Sequence, residues 1–128
     1  MVSDNELKAR FFRFIELVEK IRCDVEARCG CSVYSELLPK SPKFKLYKRK
    51  GRPQNVFAYI AQQPTLERLK ISAWEKDAEE AGVAHLACKR ADKGMWGKPA
   101  LIWYVKESDA ESYKKAVNTL SKICQVIG

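Results

Sequence analysis

Two long segments of the chain show apolar residues recurring every three or four positions. Ser3-Asp4-Asn5-Glu6 matches a helix-capping pattern, and Ser108-Asp109-Ala110-Glu111 repeats it near the other end. Behind the first pattern, the apolar positions are Leu7, Phe11, Phe14, Ile15, Val18, Ile21 and Val25. Behind the second, they are Tyr113, Ala116, Val117, Leu120, Ile123 and Ile127. The spacing predicts two long helices, each with one apolar side, and the first is expected to end near Gly30.

Between these helices the apolar period changes from three or four to two. In "KFKLYK" (43–48), Phe44 and Leu46 alternate with polar residues, which is typical of a half-buried strand. "VFAYIA" (56–61), "LERLKISA" (66–73) and "PALIWYV" (99–105) are expected to be further strands, and "VAHLAC" (83–88) a brief one. The acidic "WEKDAEEAG" (74–82) predicts a short helix, whereas "CSVYSELLPKSP" (31–42) and "KRADKGMWGK" (89–98) are expected to be irregular.

This order of elements predicts one α+β domain over residues 1–128. Two layers are expected: an antiparallel sheet of about four or five strands, and long N- and C-terminal helices that both pack on one sheet face. A chain of 128 residues with 46% hydrophobic content can bury a core without metal or disulfide staples.

Positive charge is concentrated in one stretch rather than spread along the chain. The net charge is +8, and the segment 40–52 contains seven Lys or Arg residues and no acid. If Phe44 and Leu46 face the core, Lys43, Lys45, Tyr47 and Arg49 share the other side of the strand. The predicted polyanion-binding residues are Lys43, Lys45, Tyr47, Lys48, Arg49, Lys50 and Arg52.

An open sheet face would add aromatic rings to these cations. The candidates are Phe57 or Tyr59 on one strand and Trp103 or Tyr104 on another. Cations and aromatic rings on an open sheet are typical of single-stranded nucleic-acid binding, so the first hypothesis is a non-enzymatic module for nucleic acid or another polyanion.

Three alternatives remain open at this stage. The lysines could be a guard against edge pairing, and the open face could be the interface of a homodimer or scaffold. Gly94-Met95-Trp96-Gly97 could be a tight turn or a lip that presents Trp96 to a ligand. A small-molecule pocket would be lined by Tyr59, Trp96 and Trp103.

The chain shows no pattern typical of an enzyme. His85 is the only histidine, and there is no G-x-S-x-G sequence and no phosphate-binding glycine loop. Cys29-x-Cys31 with His85-x-x-Cys88 could supply zinc ligands, but these spacings are poor for zinc. We therefore expect reduced thiols, no cofactor, no metal and no catalytic residues.

Several stretches resemble a family of small uncharacterised prokaryotic domains, some of which are described as predicted transport proteins. The likeness runs from Phe44 to Val126 and rests on Asn55-Val56-Phe57-Ala58, on the Gly-x-Trp-Gly loop at 94–97 and on the capped C-terminal helix. It implies a similar fold and a context in which some members have nuclease-like partners. The acidic segment 74–82 and the cysteines are not part of the family pattern, and no catalytic residues follow from it.

The sequence also carries an expectation about location. "MVSDNELKARFF" lacks the apolar core of a signal peptide, and no window is apolar enough for a membrane helix. The expected location is the cytoplasm.

Overall fold

The computed structural model describes residues 3–38, 43–48, 56–63, 66–106 and 108–127. Within these ranges the chain forms three α-helices and a six-stranded antiparallel sheet. The α+β class and the long N- and C-terminal helices are confirmed, and the sheet has more strands than the four or five predicted. Most of the basic turn, including Arg49, Lys50 and Arg52, lies outside the described residues.

The first helix, α1, spans Asp4–Cys29 as its apolar stripe predicts. The Ser3 side chain caps it by accepting a hydrogen bond from the amide of Glu6. The helix ends where Gly30 adopts a left-handed conformation, with φ of 70°. The side of α1 that faces the sheet buries Phe14, Val18, Ile21 and Val25.

The six strands lie side by side in the order of the sequence, except that the last two are exchanged. They are β1 (Tyr34–Leu38), β2 (Lys43–Tyr47), β3 (Val56–Gln63), β4 (Arg68–Trp74), β5 (Lys89–Met95) and β6 (Lys98–Lys106). Their order in the sheet is β1-β2-β3-β4-β6-β5, with every neighbouring pair antiparallel. The predicted meander of β2, β3 and β4 is therefore present.

The additional strands come from segments that were predicted to be irregular. Strand β1 lies within the segment 31–42, and β5 lies within the glycine-containing segment 89–98. Both are edge strands, where pairing on one side is enough to hold an extended segment whose own strand pattern is weak. The segment 83–88, predicted to be a strand, instead contains one turn of 3₁₀ helix at Ala84–Leu86.

The remaining helices are α2 (Glu75–Glu80) and α3 (Ala110–Val126). The cap of α3 is Asp109, one residue later than the Ser108 of the sequence pattern, and its carboxylate accepts hydrogen bonds from the amides of Glu111 and Ser112. Helix α3 packs beside α1, and the Tyr113 hydroxyl donates a hydrogen bond to the Asp24 carboxylate of α1. Both long helices cover the same face of the sheet.

The core lies between this helix pair and the sheet. The strand residues that face the helices include Phe44, Leu46, Ile60, Ile71 and Trp103, all of them buried. The Phe14 ring of α1 packs on the Phe44 ring, with a centroid distance of 5.4 Å. In the part of the chain that the structure describes, no helix has the length and apolar character needed to cross a membrane.

Candidate functional site

The candidate site is the open face of the sheet, which we define as the side opposite α1 and α3. Successive side chains of a strand point to opposite faces, so the residues between the core positions belong to this face. They are Lys43, Lys45, Tyr47, Tyr59, Ala61, Arg68, Lys70, Ser72, Ile102 and Tyr104, together with Tyr34, Glu36 and Leu38 of β1. Eleven of them are half-buried, Ile102 is buried and Glu36 is exposed. The face is therefore cationic and aromatic rather than apolar.

The strand register places one lysine on each side of a small residue, Ala61. Lys43 on β2 is paired with Ala61 on β3, Ala61 with Lys70 on β4, and Lys70 with Tyr104 on β6. Neighbouring strands lie about 4.8 Å apart, so the backbones of Lys43 and Lys70 are about 9.6 Å apart. The methyl group of Ala61 leaves the space between these two lysines open.

The hairpin of β5 and β6 forms a raised lip beside this face. Trp96 and Gly97 make its two-residue turn with φ values of 54° and 74°, as a type I′ turn requires. Before the turn, β5 bulges, because residues 92–94 lie opposite the single residue 99 of β6. A bulge bends a strand, and here the bend directs the tip of the hairpin toward the open face.

Gly94 allows the bulge to lie close to the neighbouring strand. A Cβ atom at position 94 would be 2.7 Å from the Cβ of Ala100 and 3.0 Å from the Cβ of Ala91. Neither of those atoms can rotate away, since each is bonded directly to the backbone. A side chain at position 94 would therefore push the hairpin tip outward.

Trp96 connects the lip to the middle of the sheet. Its indole N–H donates a hydrogen bond of 2.9 Å to the Tyr59 hydroxyl on β3, although 79% of the tryptophan is exposed. A left-handed backbone is uncommon for a bulky residue, and the hydrogen bond helps to hold it. An indole plane held at the tip of a hairpin is available for stacking.

The lip and the open face enclose a groove with a volume of about 630 Å³. Its cations are Lys43, Lys45 and Lys70, and its aromatic residues are Tyr59 and Trp96. The other lining residues are Leu38, Val56, Ala61, Ser72, Gly94 and Met95. No carboxylate lines the groove among the residues that the structure describes, although Glu36 of β1 pairs with Lys45 beside it.

Most of the cations on the open face lie over aromatic rings. The Lys43 ammonium lies 5.1 Å from the Tyr59 ring centroid, and the Arg68 guanidinium lies 3.8 Å from that of Tyr104. Such contacts orient a cation without neutralising it. Lys45 also has an acidic neighbour, since its ammonium is 3.3 Å from the carboxylate of Glu36 on β1. Glu36 is about half exposed but only 19% of the Lys45 side chain is, so the pair is partly shielded from water and Glu36 offsets part of the Lys45 charge.

The structure divides the predicted polyanion-binding residues into three groups. Lys43, Lys45 and Tyr47 share the open face, as the alternation predicts. Lys48 does not share this face, since its ammonium donates hydrogen bonds of 2.8 Å to the carbonyls of Cys124 and Ile127 at the C-terminal end of α3. Lys48 alternates in step with Phe44 and Leu46, so the period of two itself directs it to the helix side of the sheet. The remaining three, Arg49, Lys50 and Arg52, lie outside the described residues.

The structure brings together only two of the three residues predicted to line a small-molecule pocket. Tyr59 and Trp96 meet in the groove, whereas Trp103 is 2% exposed and belongs to the core on the helix side. Trp103 is paired with Ile71, a core residue of β4, which excludes it from the open face. Its indole N–H has no partner among the described residues. Phe57 is likewise fully buried, so Tyr59 and Tyr104, which are half-buried, are the aromatic candidates that remain on the open face.

Two residues of the open face were not predicted from the sequence, although the sequence contains a signal for them. Arg68 and Lys70 alternate with the core residues Leu69 and Ile71 along β4. The period of two that assigned Lys43 and Lys45 to the open face would have assigned these residues as well. Their proximity to Lys43 depends on strand order and register.

The cysteines and acids form other clusters. Cys29 lies beside Cys124, with the sulfurs 3.4 Å apart, while Cys88 is exposed on a different part of the fold. Among the described residues, no group of three Cys, His, Asp or Glu side chains could hold a metal ion. In α2, Glu75 pairs with Arg90 of β5, and burial raises the pKa of Asp77. One carboxylate of the acidic helix therefore pairs with the β5 hairpin.

Comparison with known proteins returns no matching family model, no matching curated protein and no matching solved structure. The resemblance to small prokaryotic domains therefore stays a prediction, and the function has to be inferred from the geometry of the open face.

Proposed function

We propose that this protein is a non-enzymatic binding module for single-stranded nucleic acid, and that the groove on its open face is the binding site. The observation that carries the proposal is the grouping of Lys43, Lys45 and Lys70 around Tyr59 and Trp96, with no carboxylate in the described lining. Phosphates need cations, and unpaired bases need aromatic planes. The groove supplies both within the length of about two nucleotides.

The lysines would hold the phosphate backbone. Lys43 and Lys45 are two positions apart on β2, which separates them by about 6.7 Å along the strand. Consecutive phosphates of an extended single strand have a similar spacing. Lys70 faces Lys43 across Ala61 and would contact the same backbone from the other side.

The aromatic residues would hold the bases. The exposed Trp96 indole offers a stacking plane at the lip, and Tyr59 offers a second ring at the floor. Tyr47 stacks on Tyr34 with a centroid distance of 5.6 Å and would continue the platform toward the edge of the sheet. Base stacking contributes about 1–3 kcal/mol per base and tolerates any sequence, so weak sequence preference is expected.

A single strand fits this site better than a duplex does. The groove lies between a raised hairpin and a sheet, and the bases of a duplex are already stacked and cannot enter it. Phosphate contacts alone would leave Tyr59 and Trp96 unused. We therefore expect single strands to bind more tightly than a duplex of the same length.

The direct test is fluorescence anisotropy with a labelled 12-nucleotide single strand, repeated with its duplex. Three lysine contacts predict a slope of log affinity against log salt of about −2, since each single-strand phosphate contributes about −0.7. Affinity should then fall about 20-fold between about 50 mM and about 200 mM salt. Absence of binding at the lower salt concentration would end the proposal.

A matched pair of charge variants locates the site. Lys43→Glu with Lys70→Glu removes two groove cations, whereas Lys114→Glu with Lys122→Glu makes the same charge change on the exposed side of α3. The groove variant should lose about tenfold or more in affinity, and the α3 variant should lose much less. Equal losses would show that binding depends on net charge and not on the groove.

The volume of the groove favours a second candidate function. A cavity of about 630 Å³ is within the range for small ligands, so an anionic aromatic small molecule could occupy the same residues. Competition between a mononucleotide and the labelled strand distinguishes the two functions. If the mononucleotide binds as tightly as the 12-nucleotide strand, the small-molecule function is supported.

Charge weighs against the homodimer alternative. In a two-fold dimer the same patch meets itself, so Lys43, Lys45, Lys70 and Arg68 of one copy would face those of the other. Sedimentation at micromolar concentration measures this state directly.

A further inference from the structure

Two thiols from distant parts of the chain meet where α1 and α3 come together. Cys29 is the last residue of α1, and Cys124 lies near the end of α3. Their sulfur atoms are 3.4 Å apart, although 95 positions separate them in the sequence. A disulfide needs about 2.0 Å between sulfurs, so the pair has to approach by only about 1.4 Å.

We propose that Cys29 and Cys124 are a redox-modification site, in which a peroxide-class oxidant converts the two thiols into a disulfide that joins α1 to α3. The inference does not depend on what the groove binds. It rests on the distance between the sulfurs and on the different exposure of the two residues.

The difference in exposure assigns the order of the steps. Cys29 is half-buried and can meet a small oxidant, whereas Cys124 is buried. Burial and the neighbouring Cys29 also raise the pKa of the Cys124 thiol to about 12, so Cys124 is a poor first nucleophile. Cys29 therefore reacts first, and Cys124 reacts with it afterwards.

The chemistry balances with one peroxide for each pair of thiols. The Cys29 sulfur attacks one oxygen of hydrogen peroxide, an S–O bond forms, the O–O bond breaks, and hydroxide leaves and takes up the thiol proton as water. The Cys124 sulfur then attacks the Cys29 sulfur, an S–S bond forms, the S–O bond breaks, and a second water leaves with the Cys124 proton. The two sulfurs together lose two electrons, and the peroxide gains them.

The surroundings favour Cys124 as the partner of Cys29. The Lys48 ammonium, which is bonded to the Cys124 carbonyl, lowers the cost of negative charge on the Cys124 sulfur. Cys31 is also near, but its thiol and that of Cys29 are each directed at the other residue's carbonyl oxygen, with S···O distances of 3.7 Å. The facing pair of sulfurs is Cys29 with Cys124.

Closure of this bond should stabilise the fold. The disulfide would tie the two long helices together across 95 positions of sequence, and a long loop removes much conformational freedom from the unfolded chain. We expect the melting temperature of the oxidised protein to be about 10 °C higher than that of the reduced protein, and reversal by dithiothreitol.

The test treats the reduced full chain with hydrogen peroxide and maps disulfides in a non-reducing tryptic digest. The expected product joins the peptide that begins at Cys29 to the C-terminal peptide that contains Cys124, with the mass of two hydrogens missing. Cys29 and Cys31 fall in one tryptic peptide because no Lys or Arg lies between them. The Cys31→Ser variant leaves Cys29 as the one thiol of that peptide, so a cross-link from the peptide must then involve Cys29. This variant should keep both the cross-link and the rise in melting temperature.

Control variants keep the test independent of folding defects. The Cys29→Ser variant should lose both the cross-link and the rise in melting temperature. This substitution changes a half-buried residue at a helix end and not a residue of the buried core. The double variant Cys23→Ser with Cys88→Ser changes two exposed thiols and should retain both effects. A Cys29–Cys31 bond, a cross-link between two chains, or overoxidised Cys29 without any cross-link would each overturn the proposal.

Discussion

Trp96 and Trp103 show how differently the two faces of this sheet use the same side chain. Trp103 is 2% exposed and packs among aliphatic residues under the helices, whereas Trp96 is 79% exposed and touches the fold through one hydrogen bond to Tyr59. Burial makes Trp103 a large contributor to stability. Trp96 removes little surface from water, so it contributes little to stability, and it lies at the rim of the groove proposed as the binding site.

The same contrast holds for the lysines of the basic segment. Lys43 extends over the Tyr59 ring on the open face, while Lys48, five positions later, binds carbonyls at the end of α3. One lysine is free to meet a phosphate and the other stabilises a helix end. Adjacency in a basic stretch therefore does not make its members one surface, and each side chain has to be placed separately.

The largest expected effect is on the helix side of the sheet. Trp103→Ala should lower the free energy of unfolding by about 3–5 kcal/mol, because it leaves a cavity in the core. Trp96→Ala should change it by less than about 0.5 kcal/mol and weaken oligonucleotide binding about fivefold or more, through the loss of one stacking plane. Urea denaturation and anisotropy measure the two quantities. Similar stability losses in both variants would remove the distinction between the faces.

The next effect concerns the lip that makes the open face concave. Gly94→Ala should cost about 1–3 kcal/mol, since the new methyl group meets Ala100 Cβ at 2.7 Å. Because the hairpin tip has to move, the hydrogen bond between Trp96 and Tyr59 should weaken, and tryptophan fluorescence should report the change. The control is Lys93→Ala, an exposed position in the same bulge. Unchanged stability and fluorescence in Gly94→Ala would show that close approach at Gly94 is not needed.

The smallest effect separates the two lysines. Lys48→Met should lose about 1 kcal/mol of stability, because two carbonyls at the end of α3 lose their donor, and should bind oligonucleotide nearly as well as the unchanged protein. Lys43→Met should behave in the opposite way, with stability almost unchanged and affinity reduced. Thermal denaturation and anisotropy on both variants make the comparison. A binding loss in Lys48→Met equal to that in Lys43→Met would return Lys48 to the binding surface.

Much of the fold could be predicted from local sequence pattern, because several of its features depend on residues that are close together in the chain. The Ser3 cap, the stop at Gly30 and the apolar stripe of α1 depend on residues within a few turns of one helix. The alternation around Phe44 likewise assigned Lys43 and Lys45 to the open face. The edge strands β1 and β5 were missed because their own residues show no clear period of two, and each is held by pairing with the strand that follows it in the chain. Helix α3 begins one residue later than its capping pattern suggested.

The sequence by itself determined the α+β class, the two long helices and the gathering of positive charge near β2, since periodicity and composition are local properties. Only the tertiary structure decided that Lys70 faces Lys43 across Ala61, that Trp96 reaches Tyr59, that Trp103 is buried, and that Cys29 meets Cys124. The relations within the sheet depend on strand order, on register and on the bulge at Gly94, and the meeting of Cys29 with Cys124 depends on the packing of α1 beside α3. The period of a single segment determines none of these.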